Sequence, residues 1–134
     1  MAVFRLVLAA AIAVVLSGCE SAPIKAIREE FRSLFQSHKG EPDLASGIKH
    51  YEDASYSEAA RLLQSSLDQG LGKADQVKAH KYLAFIHCVS GRERRCRDEF
   101  RAALKIDPSF ELAANEAGHP TWGPAFRSVK SQQR

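Results

Sequence analysis

Residues 79–108 of the chain read AHKYLAFIHCVSGRERRCRDEFRAALKIDP. Apolar residues recur at helical spacing on both sides of Gly91, and glycine is the residue that most readily ends a helix in the left-handed conformation. Asp75 is placed to cap the first helix, and the second stops at Asp107-Pro108 because proline cannot continue it. The stretch therefore predicts two antiparallel helices joined by a tight turn.

The order of residues in this hairpin resembles the tetratricopeptide repeat (TPR). The resemblance implies an all-α fold, a short right-handed stack of antiparallel helix hairpins with capping helices at both ends. It places one repeat at residues 75–108. The residues that carry the likeness are Leu83, Ala84, Gly91, Cys96, Phe100, Ala103, Leu104, Asp107 and Pro108.

A degenerate first repeat is predicted at residues 42–69, which makes residues 75–108 the second repeat. The helices of the first repeat are expected at 42–54 and 56–69. Gly47 falls where the pattern has a small residue, whereas Ala54 stands where the turn glycine is usual. The second of these helices is lined on one face by Tyr56, Ala59, Leu63 and Leu67. Two repeats rarely bury a continuous core alone, so the flanking segments are expected to supply the missing layers.

The first 18 residues are predicted to be a signal peptide. Arg5 precedes an apolar run over residues 6–16 that is too short to span a bilayer comfortably. The run ends in Leu-Ser-Gly-Cys at residues 16–19, which is similar to the bacterial lipobox. That resemblance implies a lipid on Cys19, a linker over residues 19–23 and, because Glu20 is not aspartate, sorting to the outer membrane with the chain on its periplasmic face.

The 134-residue chain is too short for more than one domain after the signal peptide, so residues 24–130 are predicted to form a single helical domain. The chain has 19 basic and 16 acidic side chains, and only Arg5 lies before Cys19, so the mature charge is about +2. This balance does not favour nucleic-acid binding. The arginines between positions 92 and 101 alternate with acidic residues, which is typical of a solvated helix face.

Both ends of the domain are predicted to carry capping segments. Residues 24–38 have the period of an amphipathic helix, which either covers the first repeat or lies on a membrane or a partner. Residues 109–130 are expected to form a C-terminal cap in which Trp122, Phe126 and Val129 pack on the second repeat. Residues 131–134 form a tail.

Cys88 and Cys96 lie almost symmetrically about Gly91. Residues equally far from the loop of an antiparallel hairpin lie level with each other, so a disulfide is one interpretation in an oxidising periplasm. It would stabilise the fold by about 2–3 kcal/mol. The other interpretation is that both are small buried apolar residues.

The sequence offers no pattern that predicts catalysis or a cofactor. His80 and His87 lie seven residues apart on one helix, but no third metal ligand follows at a dependable spacing. No glycine-rich phosphate loop or nucleophile elbow is present. We therefore expect a binding protein, without metal or cofactor, rather than an enzyme.

The TPR resemblance also implies a partner groove lined by the first helix of each repeat. Its residues would be Leu44, Ile48, Tyr51, Lys78, Lys81 and Phe85. Phe85 stands where a carboxylate-clamping groove would have asparagine, so the expected ligand is an extended or helical protein segment with apolar anchors. The alternative is that these six side chains only pack against the N-terminal helix.

The run from His80 to Phe126 resembles the TagM-like accessory lipoproteins of bacterial type VI secretion. The resemblance implies a non-catalytic scaffold that binds periplasmic or envelope proteins, including components of the secretion membrane complex. One alternative is an envelope-maintenance protein, acting in outer-membrane protein insertion, pilus secretin assembly or peptidoglycan contact. Another is a redox protein that uses Cys88 and Cys96. The likeness is carried by Tyr82-Leu83-Ala84-Phe85, Cys88, Gly91-Arg92, Cys96-Arg97, Phe100, Asp107-Pro108, Phe110-Glu111-Leu112, Glu116-Ala117-Gly118-His119-Pro120, Trp122-Gly123-Pro124 and Phe126.

Overall fold

The computed structural model describes Ile27, Arg28, Phe31 and residues 39–133. Residues 39–133 contain helices and no strand, as the sequence predicts. The six helices of this part are α1 (Glu41–Glu52), α2 (Tyr56–Gln69), α3 (Lys73–Val89), α4 (Glu93–Ile106), α5 (Ala114–Ala117) and α6 (Gly123–Ser131).

The first hairpin, formed by α1 and α2, is closely packed at Gly47. A Cβ atom added to Gly47 would lie 2.9 Å from Cγ of Leu63, a distance that real side chains do not adopt. Glycine therefore allows the two helices to approach, and Leu44, Ala59 and Leu63 close the interface as buried side chains. The helix predicted to end at residue 54 ends at Glu52 instead.

Both hairpins turn through the same set of backbone hydrogen bonds. The N–H of Ser55 donates to the carbonyl oxygen of His50 over 2.8 Å, and the N–H of Arg92 donates to that of His87 over 2.9 Å. Ala54 and Gly91 adopt the left-handed conformation, with φ of 57° and 70°. This is the Schellman ending, in which glycine is preferred because it has no Cβ. The predicted left-handed Gly91 is confirmed, and Ala54 takes the same role in the first hairpin.

We expect Ala54→Gly to stabilise the chain and Gly91→Ala to destabilise it, each by about 0.5–1 kcal/mol. A left-handed alanine is strained by its Cβ, and glycine removes that strain at a smaller entropic cost. A Cβ at Gly91 would meet nothing within 4 Å, so the second substitution tests backbone conformation alone. The urea midpoint measures both effects, and shifts of the same sign would contradict the shared turn.

Helix α3 lies at the centre of the fold. It contacts α1, α2 and α4, so the second hairpin packs directly against the first. Its buried side chains point in several directions, as the sequence predicts for a helix enclosed by neighbours. They are Val77, Ala79, Leu83, Ala84, Phe85, Ile86, His87 and Cys88.

The prediction that Asp75 caps α3 is wrong. The helix begins at Lys73 with Gly72 as its N-cap, and Asp75 lies in the first turn. The backbone N–H of Gln76 donates to the carbonyl oxygen of Gly72 over 2.9 Å, and the side-chain amide of Gln76 donates to that of Leu71 over 2.7 Å. The helix therefore begins without a carboxylate cap, and Gln76 holds the two preceding carbonyl groups by hydrogen bonds.

Two apolar clusters form the core, and α3 contributes to both. The first joins α1, α2 and α3, and the second joins α3 and α4 to the C-terminal segment. Tyr51 and Tyr82 pack against both clusters. The first consists of Leu44, Ala59, Leu63, Leu71, Ala79, Leu83 and Ile86, and the second of Ala84, Phe85, Cys88, Cys96, Phe100, Leu104, Leu112, Trp122, Phe126 and Val129.

The C-terminal segment returns over the second hairpin. After α4 the chain makes a turn in which the N–H of Phe110 donates to the carbonyl oxygen of Asp107 over 3.1 Å. The ring of Trp122 stacks on Phe85 of α3 with centroids 4.4 Å apart, and Phe126 meets Phe100 of α4 edge-on at 5.2 Å. The predicted packing of Trp122 and Phe126 on the second hairpin is therefore observed.

The predicted signal peptide at residues 1–18, Cys19 and the linker at 19–23 lie outside the described residues, as does most of the amphipathic helix predicted at 24–38. Of that helix, Ile27, Arg28 and Phe31 are described and helical, and the side chains of Ile27 and Phe31 are more than half exposed. Within the described residues no helix is both long enough and apolar enough to cross a membrane.

Candidate partner-binding surface

A continuous row of aromatic rings crosses α1, the start of α2, α3 and the C-terminal segment, and we call it the aromatic row. Successive ring centroids lie 3.3–5.9 Å apart, so each ring contacts the next. Tyr56, at one end of the row, is exposed, and Tyr51 and Tyr82, the next two rings, are half-buried. In order, the row consists of Tyr56, Tyr51, Tyr82, Phe85, Trp122 and His119.

At the tyrosine end of the aromatic row, the hydroxyl group of Tyr51 stays protonated at neutral pH. Burial, together with Tyr56, Tyr82 and the Glu116 carboxylate, raises the pKa of Tyr51 to about 12. A half-buried phenol of this kind presents a ring surface and a hydrogen-bond donor side by side. This end of the row can therefore hold an apolar side chain and a polar group of a bound chain.

Lys81 is fixed against the middle of the row. Its Nζ lies 4.8 Å from the ring centroid of Tyr82 and 5.6 Å from that of Phe85. It also donates to Oε1 of Glu116 over 2.5 Å, and both partners are largely shielded from solvent. The cation is thus held by aromatic rings and a carboxylate together, and its side chain is already engaged within the chain.

The six predicted groove residues do not form one open surface. Leu44 and Phe85 are 5% and 2% exposed, so the prediction that they contact a partner is wrong. Phe85 is covered by Trp122, and Leu44 faces the core of the first hairpin. Ile48 and Tyr51, three residues apart on α1, are half-buried. Lys78 is exposed, and its Nζ lies 2.9 Å from the carboxylate of Asp75.

The covering segment, Glu116 to Trp122, is held by its own contacts. The indole Nε1 of Trp122 donates to the carbonyl oxygen of Glu116 over 2.9 Å, and the N–H of Thr121 donates to Nδ1 of His119 over 3.2 Å. The ring of His119 stacks on that of Trp122. The sequence predicts no role for Glu116, because no local spacing connects this carboxylate of α5 with Lys81, 35 residues away.

Cys88 and Cys96 are joined as a disulfide, with Cα atoms 5.1 Å apart. The bridge links the last turn of α3 to the first turn of α4 beside the Gly91 turn. Cys96 is fully buried and Cys88 nearly so, and both belong to the cluster that contains Trp122. The two interpretations from sequence therefore hold together: the cysteines are paired and also fill core positions.

The two histidines of α3 have separate surroundings. Nδ1 of His80 lies 2.7 Å from a carboxylate oxygen of Glu99. His87 is buried, and its Nδ1 has no hydrogen-bond partner. No group of three or more His, Cys, Asp or Glu side chains in the described part of the chain is arranged to hold a metal ion.

We expect His87 to make the fold less stable in mild acid. Burial, reinforced by Arg92, lowers the pKa of His87 below its usual value. The unfolded state therefore binds the proton more readily, so stability falls as the pH drops from about 7 towards 5. Urea midpoints across that range should decline in the wild type and less in His87→Gln. The matched control is His50→Gln, and an equal decline in both variants would contradict the assignment.

The basic residues of α4 make local ion pairs on an exposed face. Arg101 donates to Asp98 over 2.7 Å, and Arg97 lies 3.5 Å from Glu93. Exposed pairs of this kind contribute little to stability. They agree with the predicted solvated helix face.

Comparisons with known proteins identify no relative. No protein-family model and no curated protein matches the sequence, and no solved structure matches the fold. The roles of the residues therefore rest on contacts, burial and charge within this chain.

Proposed function

We propose that this chain is a non-catalytic adaptor that binds protein partners through the face formed by α1 and α3. In this proposal the two hairpins are TPR-like units in a right-handed stack, closed at one end by the C-terminal segment. The supporting observation is a repeated register: the same offset of 37 residues separates Gly47 from Ala84, Ala54 from Gly91, Ala59 from Cys96 and Leu63 from Phe100. Each pair occupies equivalent positions in packing or in the turn.

The binding surface in this proposal is the open end of the aromatic row rather than the whole predicted groove. Tyr51, Tyr56 and Tyr82, with Ile48 on the same helix as Tyr51, supply aromatic and apolar area that the C-terminal segment leaves uncovered. Tyrosine is favoured in such surfaces because a large ring is ordered at low entropic cost and its hydroxyl keeps a hydrogen bond. A peptide segment with apolar anchors suits this surface.

The cellular setting remains the one that the sequence predicts. The proposal places a lipid on Cys19 and the helical domain on the periplasmic side of the outer membrane, where it holds envelope proteins together in assembly of a type VI secretion complex. The lipobox and the TagM-like residues support this part. The identity of the captured partner distinguishes this role in secretion from a role in envelope maintenance.

The test is crosslinking in intact membranes that carry the native lipidated protein, followed by affinity capture. We expect a secretion-complex component to be captured by the wild type and by Arg94→Ser, and lost with Tyr51→Ser/Tyr56→Ser. Circular dichroism verifies that both variants are folded. Cys19→Ser should release the protein from the membrane fraction. Equal capture by the tyrosine variant would contradict the proposed surface, and capture of outer-membrane insertion factors alone would favour envelope maintenance.

A further inference from the structure

A cleft of about 470 Å³ lies between the first half of α3 and the chain from Ile106 to Phe110. Its size falls within the range of about 300–1,000 Å³ that is usual for ligand sites. It is separate from the tyrosine end of the aromatic row, but Lys81 borders both. The α4 helix ends here at Ile106, and the following turn leaves this side of α3 uncovered.

The floor of the cleft is apolar. Ala74 and Val77 of α3 line it together with Ile106 and Phe110. Val77 is buried, while Ile106 and Phe110 are half-buried and keep part of their surface open. An apolar side chain entering from solvent would therefore lose its contact with water against these residues, which favours its binding.

The rim of the cleft is basic. Lys73, Lys78 and Lys81 line it, and Asp107 is the one acidic residue of the lining, while Asp75 and Glu116 beside the cleft pair with Lys78 and Lys81. Hydrogen bonds from Ser109, through its hydroxyl and backbone N–H, lower the pKa of the Asp107 carboxyl. Asp107 is thus hydrogen-bonded to Ser109, and three lysines line the cleft together with its apolar residues.

Two of these lysines are not firmly engaged. Lys78 pairs with Asp75 three residues earlier on the same helix, and its side chain is 49% exposed, so that pair is weak. No carboxylate of the described residues pairs with Lys73, which is exposed at the start of α3. An incoming carboxylate therefore finds available ammonium groups here.

The chain itself displays the kind of ligand that this face of α3 accepts. Eight residues after Lys73 on the same helix, Lys81 is paired with the carboxylate of Glu116, and Phe85, four residues later still, is stacked by Trp122. In this arrangement the lysine pairs with an acidic residue, and the apolar side chain four residues later stacks against an aromatic one. Lys73 and Val77 repeat that spacing and open onto the cleft.

We propose that this cleft binds a polypeptide segment in which an apolar or aromatic side chain is flanked by acidic residues. The apolar side chain occupies the floor between Val77, Ile106 and Phe110, and the carboxylates pair with Lys73 and Lys78. Charge complementarity sets the specificity: an acidic segment is accepted and a basic one is rejected. This inference rests on the proposed adaptor function and names the chemistry of the partner.

The test uses fluorescence anisotropy with the full mature chain and a synthetic peptide labelled with fluorescein. The peptide alternates glutamate with phenylalanine, and its C-terminus is amidated so that only side-chain carboxylates are measured. We expect it to bind, more weakly as salt increases, whereas matched peptides with lysine for glutamate or serine for phenylalanine do not. Absence of binding by the glutamate–phenylalanine peptide would overturn the proposal.

Charge-reversal variants locate the site. Lys73→Glu/Lys78→Glu should raise the dissociation constant by at least about tenfold, because two charged pairs are replaced by repulsion. Arg94→Glu/Lys105→Glu makes the same change in net charge at exposed positions of α4. It should change the dissociation constant by less than about twofold. Equal effects of the two variants would overturn the assignment to the cleft.

Two further outcomes separate this inference from the proposed function and from a lipid ligand. If Lys73→Glu/Lys78→Glu still captures its partner in membranes while the tyrosine variant does not, the adaptor function stands and the cleft assignment fails. If phosphatidylglycerol vesicles bind to the wild type but not to the reversed cleft, and the peptide does not bind, the cleft takes an anionic lipid and the proposal is wrong.

Discussion

Trp122→Ala is expected to lower the free energy of unfolding by about 3–5 kcal/mol, the usual cost of deleting a large buried aromatic side chain. The indole is only 9% exposed, stacks on Phe85 and His119, and donates to the carbonyl oxygen of Glu116. Its removal leaves Phe85 open to water and frees the segment that carries Glu116. The measurement is urea unfolding followed by circular dichroism.

Trp122→Phe is the matched control for this prediction. It keeps a ring over Phe85 but loses the hydrogen bond to Glu116, so it should cost less than half as much as alanine. Because Trp122 is the only tryptophan in the chain, its fluorescence in the wild type reports directly on this segment. A loss below about 1 kcal/mol for alanine, with an unchanged helical spectrum, would contradict the packing described here.

Reduction of the Cys88–Cys96 disulfide is expected to lower the free energy of unfolding by about 2–3 kcal/mol. The bridge spans a sequence separation of 8 residues, and such a short loop restricts the unfolded chain moderately. The urea midpoint should therefore fall when a phosphine reductant is added. An unchanged midpoint would contradict this prediction.

Cys96→Ala separates the bond from the buried volume. Position 96 is fully buried and equivalent to Ala59 of the first hairpin, so alanine should fit there without strain. The variant should match the reduced wild type in stability and show no further response to reductant. Normal partner capture by this variant would exclude the hypothesis that the two cysteines act as a redox centre.

The hairpins could be predicted from sequence because their determinants are local. Gly91 and Pro108 mark helix ends by backbone conformation, and the apolar spacing around Phe100 follows the helical period. The start of α3 could not be predicted in the same way. The side chain of Gln76 reaches back to the carbonyl oxygen of Leu71 there, and a glycine N-cap replaced the expected aspartate.

The partner surface was predicted only in part, because its extent depends on contacts between distant segments. Lys81 and Phe85 lie on the helix face where a groove was expected, but Glu116 and Trp122 cover them. Trp122 lies 37 positions after Phe85, so the helical period does not predict their contact. Ile48 and Tyr51 of α1 stay partly exposed.

The central claim is that one face of the stacked hairpins binds another polypeptide. It is tested most directly by placing a photoreactive amino acid at Tyr56, on the aromatic row, or at Arg94, on the exposed side of α4, in the native lipidated protein. Irradiation of living cells should crosslink an envelope protein from position 56 and none from position 94. Equal crosslinking from both positions, or none from position 56, would contradict the claim.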